Sequence, residues 1–310
     1  HHLSVRLLDD GHTVTGLSNW RDMDTCFTKP LAGRMKHFLV DICDPWAVKD
    51  FFRTRSFDAI FHLAGQSLIS ISGNNPLWSY QLNVLGTVNL LQALVDRDLR
   101  PKLIQLSSSS DVYGDVPADE QPIKEDRRLR PDTIYASSKG AMELAGLQFS
   151  VEHGLSVVVT RLFTCAGPMQ RDDVLVGFLA KRCAQIAKGL VPPILGMGRL
   201  ENKRSYIDAR DAVVAYASLL GIEGDRFSVY NVTGSEVWTI SQIVWEISEL
   251  VKRAGGPEIE VRFDPSKVRT RDKLVQIGNG EKLLAATGFV PKIEFKKTLQ
   301  DSFDWWMQNV

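Results

Sequence analysis

What this chain has little of excludes several classes of protein at the outset. Only four of its 310 residues are cysteine, Cys26, Cys43, Cys165 and Cys183, and they show neither a paired pattern nor metal-ligand spacing. Such usage suits a reducing compartment, so the expectation is a cytoplasmic protein with idle thiols and no bound metal. Charge of one sign is missing too, since 37 Lys and Arg balance 37 Asp and Glu. No basic stripe marks a nucleic-acid surface and no acidic tail marks a solvating region. Apolar runs fall far short of the roughly 20 residues that a membrane span requires. Internal repeats and low-complexity tracts are lacking as well. The Asn231-Val-Thr233 glycosylation match is therefore read as chance.

What is present is a rhythm. Leu3, Val5, Leu7 and Leu8 fall near helical spacing, and Asp9-Asp10-Gly11 supplies a polar stop. Strand-like runs follow at His12–Leu17, Lys36–Val40, Ala59–Leu63, Lys102–Ser107 and Ser156–Leu162. Helical stretches lie between them at Pro45–Arg53, Leu77–Asp96 and Thr133–His153. Strand, crossover helix, strand predicts an α/β fold with a Rossmann-like doubly wound parallel sheet. The pattern changes after Arg161: Gly167-Pro168 breaks it, helices are expected near Val174–Lys188, Asp208–Leu220, Ile240–Ala254 and Phe295–Met307, and strands near Ser228–Val232 and Ile259–Phe263. The reading is a dinucleotide-binding domain over 1–163 that also receives about 206–234, with a smaller interleaved α/β lobe over 164–205 and 235–310.

Chemistry concentrates at Tyr135-Ala-Ser-Ser-Lys139. Residues at i and i+4 share a helix face, so a phenol and an ammonium can share one site. A free phenol, with a pKa near 10, is a poor acid or base at neutral pH, and a fixed positive charge brings it towards the working range. Upstream, Leu106-Ser-Ser-Ser-Ser-Asp-Val-Tyr-Gly114 leaves a buried strand and opens into a polar loop, the edge of an α/β sheet where ligands bind. Phe61-His-Leu-Ala-Gly-Gln66 ends another strand in small residues. Asn83-Val-Leu-Gly-Thr-Val-Asn89 lies on the long helix. A diphosphate needs cations, and Arg204, Arg269 and Lys181 are the candidates.

Together with Arg161-Leu-Phe-Thr-Cys-Ala-Gly-Pro168, these pieces occur in the order found in the extended short-chain dehydrogenase/reductases, and the whole chain resembles that family of nucleotide-sugar epimerases, dehydratases and reductases. The resemblance implies a nicotinamide that exchanges a hydride with C4 of a sugar. It assigns Tyr135 to proton transfer, Lys139 to the nicotinamide ribose, and Ser109, or Ser108 in the alternative register, to the reacting oxygen. It places Asp41, Ile42, Leu63, Ala64, Gly65, Gln66, Asn83 and Leu162 around the cofactor, with Thr164 and Ser108 beside the substrate. It also implies a homodimer through the helix bearing Tyr135 and the preceding long helix.

The second lobe is similar to that of GDP-mannose 4,6-dehydratases and GDP-6-deoxy-D-mannose reductases, through Gly198-Arg-Leu-Glu-Asn-Lys-Arg-Ser-Tyr-Ile-Asp-Ala-Arg-Asp211 and Val268-Arg-Thr-Arg-Asp272. A GDP-sugar is thus the favoured substrate class. Asp111 stands where the dehydratases carry Glu as the C5 base. A side chain one methylene shorter falls about an ångström short, a misplacement that costs on the order of a hundredfold. Reduction of a GDP-4-keto-6-deoxyhexose is accordingly the leading expectation, with 4,6-dehydration, C4 epimerisation and a non-catalytic cofactor-binding regulator as alternatives. Thr164 and Arg199 replace Asn residues usual in the relatives, which bears on the sugar and base. The second strand ends Leu17-Ser-Asn-Trp-Arg21 with no carboxylate before Asp22, so NADP(H) is favoured over NAD(H). If His2-Leu3 matches the His-Leu that opens the family's first helix, the phosphate-binding glycine turn and the first strand are expected upstream of His1.

Overall fold

The computed structural model describes residues 1–19, 31–268 and 272–310. Its first half alternates as the sequence predicts: α1 (His2–Asp9), β1 (Thr15–Ser18), β2 (Lys36–Leu39), α2 (Pro45–Phe51), β3 (Ala59–His62), α3 (Ile69–Asn74), α4 (Pro76–Tyr80), α5 (Gly86–Asp96), β4 (Leu103–Ser109), α6 (Ile134–His153) and β5 (Val157–Leu162). Strands β3, β4, β5 and β9 (Phe227–Val232) form a parallel sheet in that order, and β1 pairs with β2, also in parallel.

A buried parallel strand must serve two faces, and the side-chain alternation divides accordingly. Ile104, Leu106, Val157 and Val159 meet α2, α5 and α6 through Val48, Phe51, Leu91, Leu94 and Met142. Their sequence neighbours Leu103 and Val158 turn to the opposite face, against Leu3 and Leu7 of α1 and Ala215 and Tyr216 of α8 (Ala209–Ser218). Helices on both faces complete the doubly wound, Rossmann-like α/β arrangement.

The remaining chain builds a third core from α7 (Leu175–Ala187), α9 (Ile240–Arg253) and α11 (Phe295–Asn309), with Leu179, Cys183, Ile243, Ile247, Phe295 and Leu299 at its centre. A small mixed sheet flanks it. There β6 (Thr164–Ala166), β10 (Glu236–Thr239) and β12 (Val275–Gln276) all pair with β8 (Lys203–Asp208). A separate parallel pair joins β7 (Ile194–Met197) to β11 (Glu260–Phe263). The short helix α10 (Glu281–Thr287) completes the elements.

Two differences from the sequence reading have physical causes. The helix expected over 77–96 is divided by a π-helical segment, Gln81–Leu85, which carries Asn83. No period marks such a widened turn in the sequence, although π segments recur at functional sites. The polar stretch 196–205, to which the sequence reading gives no element, contains the end of β7 and the start of β8. Its exposed Lys203 and half-buried Arg204 mask the buried run Ser205–Asp208 that pairs on both sides.

Candidate active site

Strand β4 delivers Ser109 at its carboxyl end, where the chain turns into a 3-10 helix over Ser110–Tyr113 and the Ser109 hydroxyl accepts from the Asp111 amide at 3.2 Å. Across from it, the Thr133 hydroxyl caps α6 by accepting from the Ala136 amide at 3.1 Å. That cap fixes the phase of the helix, so Tyr135, Lys139 and Glu143 follow one another along one face and are buried to 8%, 6% and 3% exposure.

The Tyr135 phenol faces the Ser109 hydroxyl. Burial raises its pKa, Ser109 opposes that rise, and the charge of Asp111 and nearby Tyr216 add to it. The expectation that Lys139 brings this phenol into the working range is corrected here. Lys139 Nζ donates instead to the Ser107 carbonyl at 2.8 Å, and burial outweighs every other influence on the phenol. Tyr135 is therefore a protonated phenol at neutral pH. Burial lowers Lys139 to about 8, with Glu143 pulling the other way.

Strand alternation also decides the serine register. Ser108, like Leu106, turns to the α6 face of β4, where its hydroxyl donates to Glu143 Oε1, whereas Ser109 turns the other way at the strand's carboxyl end, beside the Tyr135 phenol. Placing Ser108 beside the substrate is thus corrected, because its hydroxyl is engaged by a buried carboxylate. Glu143 in turn receives Arg161, with Nε at 3.1 and 3.2 Å and Nη2 at 2.7 Å. Arg161 Nη1 donates to Tyr113 Oη and to the Glu125 carbonyl, each at 3.0 Å, and Tyr113 donates to Asn231 Oδ1 at 2.7 Å. This buried network joins β4, α6, β5 and β9 beneath the site. The sequence reading missed it, although Glu143 lies at i+4 from Lys139 and Arg161 opens a quoted motif.

On the other flank, β3 ends at an open edge where Leu63 is 48% exposed and Ala64 is exposed as well. A Cβ on Gly65 would meet Asn83 Oδ1 at 2.8 Å, so only glycine lets the backbone lie this close. Asn83 and Gln66 are not free to hold a ligand through their side chains. Asn83 accepts from the Gln66 amide at 2.7 Å and donates to the Gln66 carbonyl and Ser138 Oγ at 3.1 and 2.9 Å. Gln66 donates to Leu68 O at 2.7 Å and accepts from Ser72 at 2.6 Å. They act as a clamp that shapes the β3 edge. Asp41 is exposed and accepts from the Cys43 amide at 2.9 Å, Ile42 packs against Gly86, and half-buried Leu162 ends β5. An open backbone edge beside a phenol, a hydroxyl and an ammonium is a donor set that fits a nicotinamide riboside.

The proposed substrate residues are not all drawn together. Thr164 is half-buried on β6, next to the strand carrying Arg204. Arg204 Nη2 donates to the Lys273 carbonyl at 2.6 Å and lies 3.5 Å from Asp272. Lys181 is paired with Asp172 at 2.6 Å and sits over the Trp306 ring, among the helices of the third core. Arg269 lies outside the described residues, as do Trp20, Arg21 and Asp22, on which the choice between NADP(H) and NAD(H) turned. Lys273 brings a group that the sequence reading did not single out: its Nζ lies 2.6 Å from Asp111 Oδ1 and 3.7 Å from Asp132 Oδ1. Among the described residues no group of three or more His, Cys, Asp or Glu is placed to hold a metal ion, and no helix is long and apolar enough to cross a membrane.

The chain is similar to known proteins over most of its length. A family model described as GDP-mannose 4,6 dehydratase matches residues 1–302. The GDP-6-deoxy-D-mannose reductase of Pseudomonas aeruginosa is 33% identical over 270 residues, spanning 87% of this chain and 86% of that protein. A solved structure of RMD from Pseudomonas aeruginosa complexed with NADPH superposes with a TM-score of 0.84 at 28% identity, over 96% of this chain and 100% of that one. The UDP-glucose 4-epimerase of Thermus thermophilus complexed with NAD gives a TM-score of 0.84 at 26% identity, over 100% of this chain and 96% of that one.

Proposed function

The chain belongs to the NAD-dependent epimerase/dehydratase family, the extended short-chain dehydrogenase/reductases, and we propose that within it the protein is an NADP(H)-dependent 4-ketoreductase of a GDP-4-keto-6-deoxyhexose. The observation that carries this reading is the pairing of Ser109 with a Tyr135 phenol that burial keeps protonated. Two hydroxyl donors meeting at the carboxyl edge of β4 are the equipment for receiving a carbonyl oxygen.

When bound, NADPH supplies the hydride that reduces the C4 carbon. The chain does the rest. Ser109 donates a hydrogen bond to the C4 oxygen and fixes its position. Tyr135 gives its proton to that oxygen as negative charge develops there, so ketone, hydride and proton balance to an alcohol; water then restores the phenol. Lys139 holds the ribose hydroxyls. Asp41, Ile42, Leu63, Ala64, Gly65 and Leu162 line the cofactor path in this reading, with Asn83 and Gln66 shaping its edge. Thr164, Lys181, Arg204 and Arg269 serve the GDP-sugar. The cofactor domain comprises 1–163 with about 206–234, and the remainder forms the substrate lobe of a cytoplasmic enzyme.

The match to the GDP-mannose 4,6 dehydratase model favours dehydration as the second reading, with Asp111 as the C5 base. One incubation separates them. With a GDP-4-keto-6-deoxyhexose the proposal predicts oxidation of one NADPH per deoxyhexose formed. Conversion of GDP-mannose to a 4-keto product without added NADPH would overturn it in favour of the dehydratase.

A further inference from the structure

The ion pair between Lys273 and Asp111 at the edge of the site has no part in the reduction described above. Asp111 lies two residues beyond Ser109, and its Oδ2 is 3.4 Å from the Ser109 hydroxyl. It therefore sets a carboxylate beside the spot where the C4 oxygen gathers negative charge. Unopposed, that carboxylate repels the developing charge, and in a partly desolvated site like charges interact strongly. It also disfavours the phenolate that Tyr135 must pass through.

Lys273 is the group that opposes it. Its side chain is only 7% exposed, and a lysine is seldom buried this deeply without partners. Both carboxylates near its ammonium belong to the catalytic side of the cleft: Asp111 at 2.6 Å, and Asp132, which lies just before the Thr133 cap of α6, at 3.7 Å. The lysine itself comes from the other lobe, on the stretch leading into β12. Its backbone carbonyl accepts from Arg204 at 2.6 Å, and its neighbour Asp272 faces the same guanidinium at 3.5 Å. Residues 272 and 273 thus join the Arg204 side of the second lobe to the Ser109–Tyr135 side of the first.

We propose that Lys273 is a positioning residue for the reduction: reaching across the cleft, its ammonium cancels the charge of Asp111 beside Ser109 and Tyr135 and docks the second lobe on the catalytic loop. It acts through Asp111 and does not touch the sugar. The inference rests on the ketoreductase reading for its catalytic meaning, while the ion pair itself does not depend on that reading.

A double-mutant cycle tests it, with Lys273→Met, Asp111→Asn and the pair together. Lys273→Met alone leaves Asp111 uncompensated, and the expected loss is about tenfold in kcat with the KM for the sugar nearly unchanged. Asp111→Asn removes the charge that Lys273 cancels, so the double variant recovers most of that loss, and Lys273→Arg keeps activity. The urea midpoints of the four proteins are expected to be non-additive in the same sense. If Lys273→Met does not fold, the double variant and Lys273→Arg still carry the comparison. Additive losses in both readouts, or a rise in KM that Asp111→Asn does not rescue, would overturn the proposal. A protein that turns over no 4-keto sugar but still shows coupled urea midpoints would refute the ketoreductase reading while leaving the ion pair's docking role intact.

Discussion

At the scale of single residues, burial gives the catalytic groups their protonation states. Lys139 is lowered to about 8 mainly by burial. A lysine loses its charge as pH rises through its pKa, so the ammonium that holds the ribose is present below about pH 8 and lost above it. Because kcat/KM for NADPH reports the free enzyme, its profile should fall on the alkaline side with a pKa near the lysine value. Lys139→Arg should move that limb upward, since a guanidinium stays charged. The serine register yields a second test. Ser109→Ala should lower kcat by about a hundredfold or more while leaving the urea midpoint nearly unchanged. Ser108→Ala should do the reverse, costing about 1–3 kcal/mol of stability through its lost bond to buried Glu143. The sequence made Tyr135 and Lys139 legible because their spacing is local. It left Ser108 and Ser109 open, because four consecutive serines look alike until the alternation along β4 turns Ser108 onto Glu143 of α6 and leaves Ser109 at the strand end.

Elements explain why the site is rigid. Helix α6 holds Tyr135, Lys139 and Glu143 on one face, and the Glu143–Arg161 pair binds that helix to β5. Both partners of the pair are almost wholly buried, and removing one leaves the other uncompensated. Arg161→Met should therefore cost about 3–5 kcal/mol in urea unfolding. Restoring much of that stability in the Glu143→Gln, Arg161→Met pair would identify an unpaired charge as the cause. The crossover helices and the central parallel strands were legible from periodicity. Strands β6, β7, β10 and β12 were not, since stretches of two to four residues carry too few repeats of a two-residue period. Helices α3 and α10, with 6 and 7 residues, lack the Asp–Pro start that marks the equally short α2.

For the whole molecule, function depends on bringing distant segments together, and this is where the sequence is least legible. Lys273 and Asp111 are 162 residues apart, and nothing local to either predicts their 2.6 Å contact. An apolar face is also left over: Leu77 and Leu85 on the helical run before Asp96, and Leu144 and Val151 on α6, are all exposed. Large apolar side chains gathered on neighbouring helices mark an association surface. A homodimer through these helices, as the family resemblance implies, predicts that Leu144→Asp with Val151→Asp gives a monomer by light scattering with the urea midpoint preserved. The hydrogen that is transferred offers the sharpest check on the proposed reduction. NADPH dideuterated at the nicotinamide C4 is incubated with a GDP-4-keto-6-deoxyhexose, and the product is examined by NMR. One deuterium is expected at the sugar C4 in every product molecule, and Tyr135→Phe should slow its arrival by about a hundredfold or more. A product with hydrogen at C4, or deuterium arriving at an undiminished rate in Tyr135→Phe, would contradict hydride transfer from NADPH with Tyr135 as the acid.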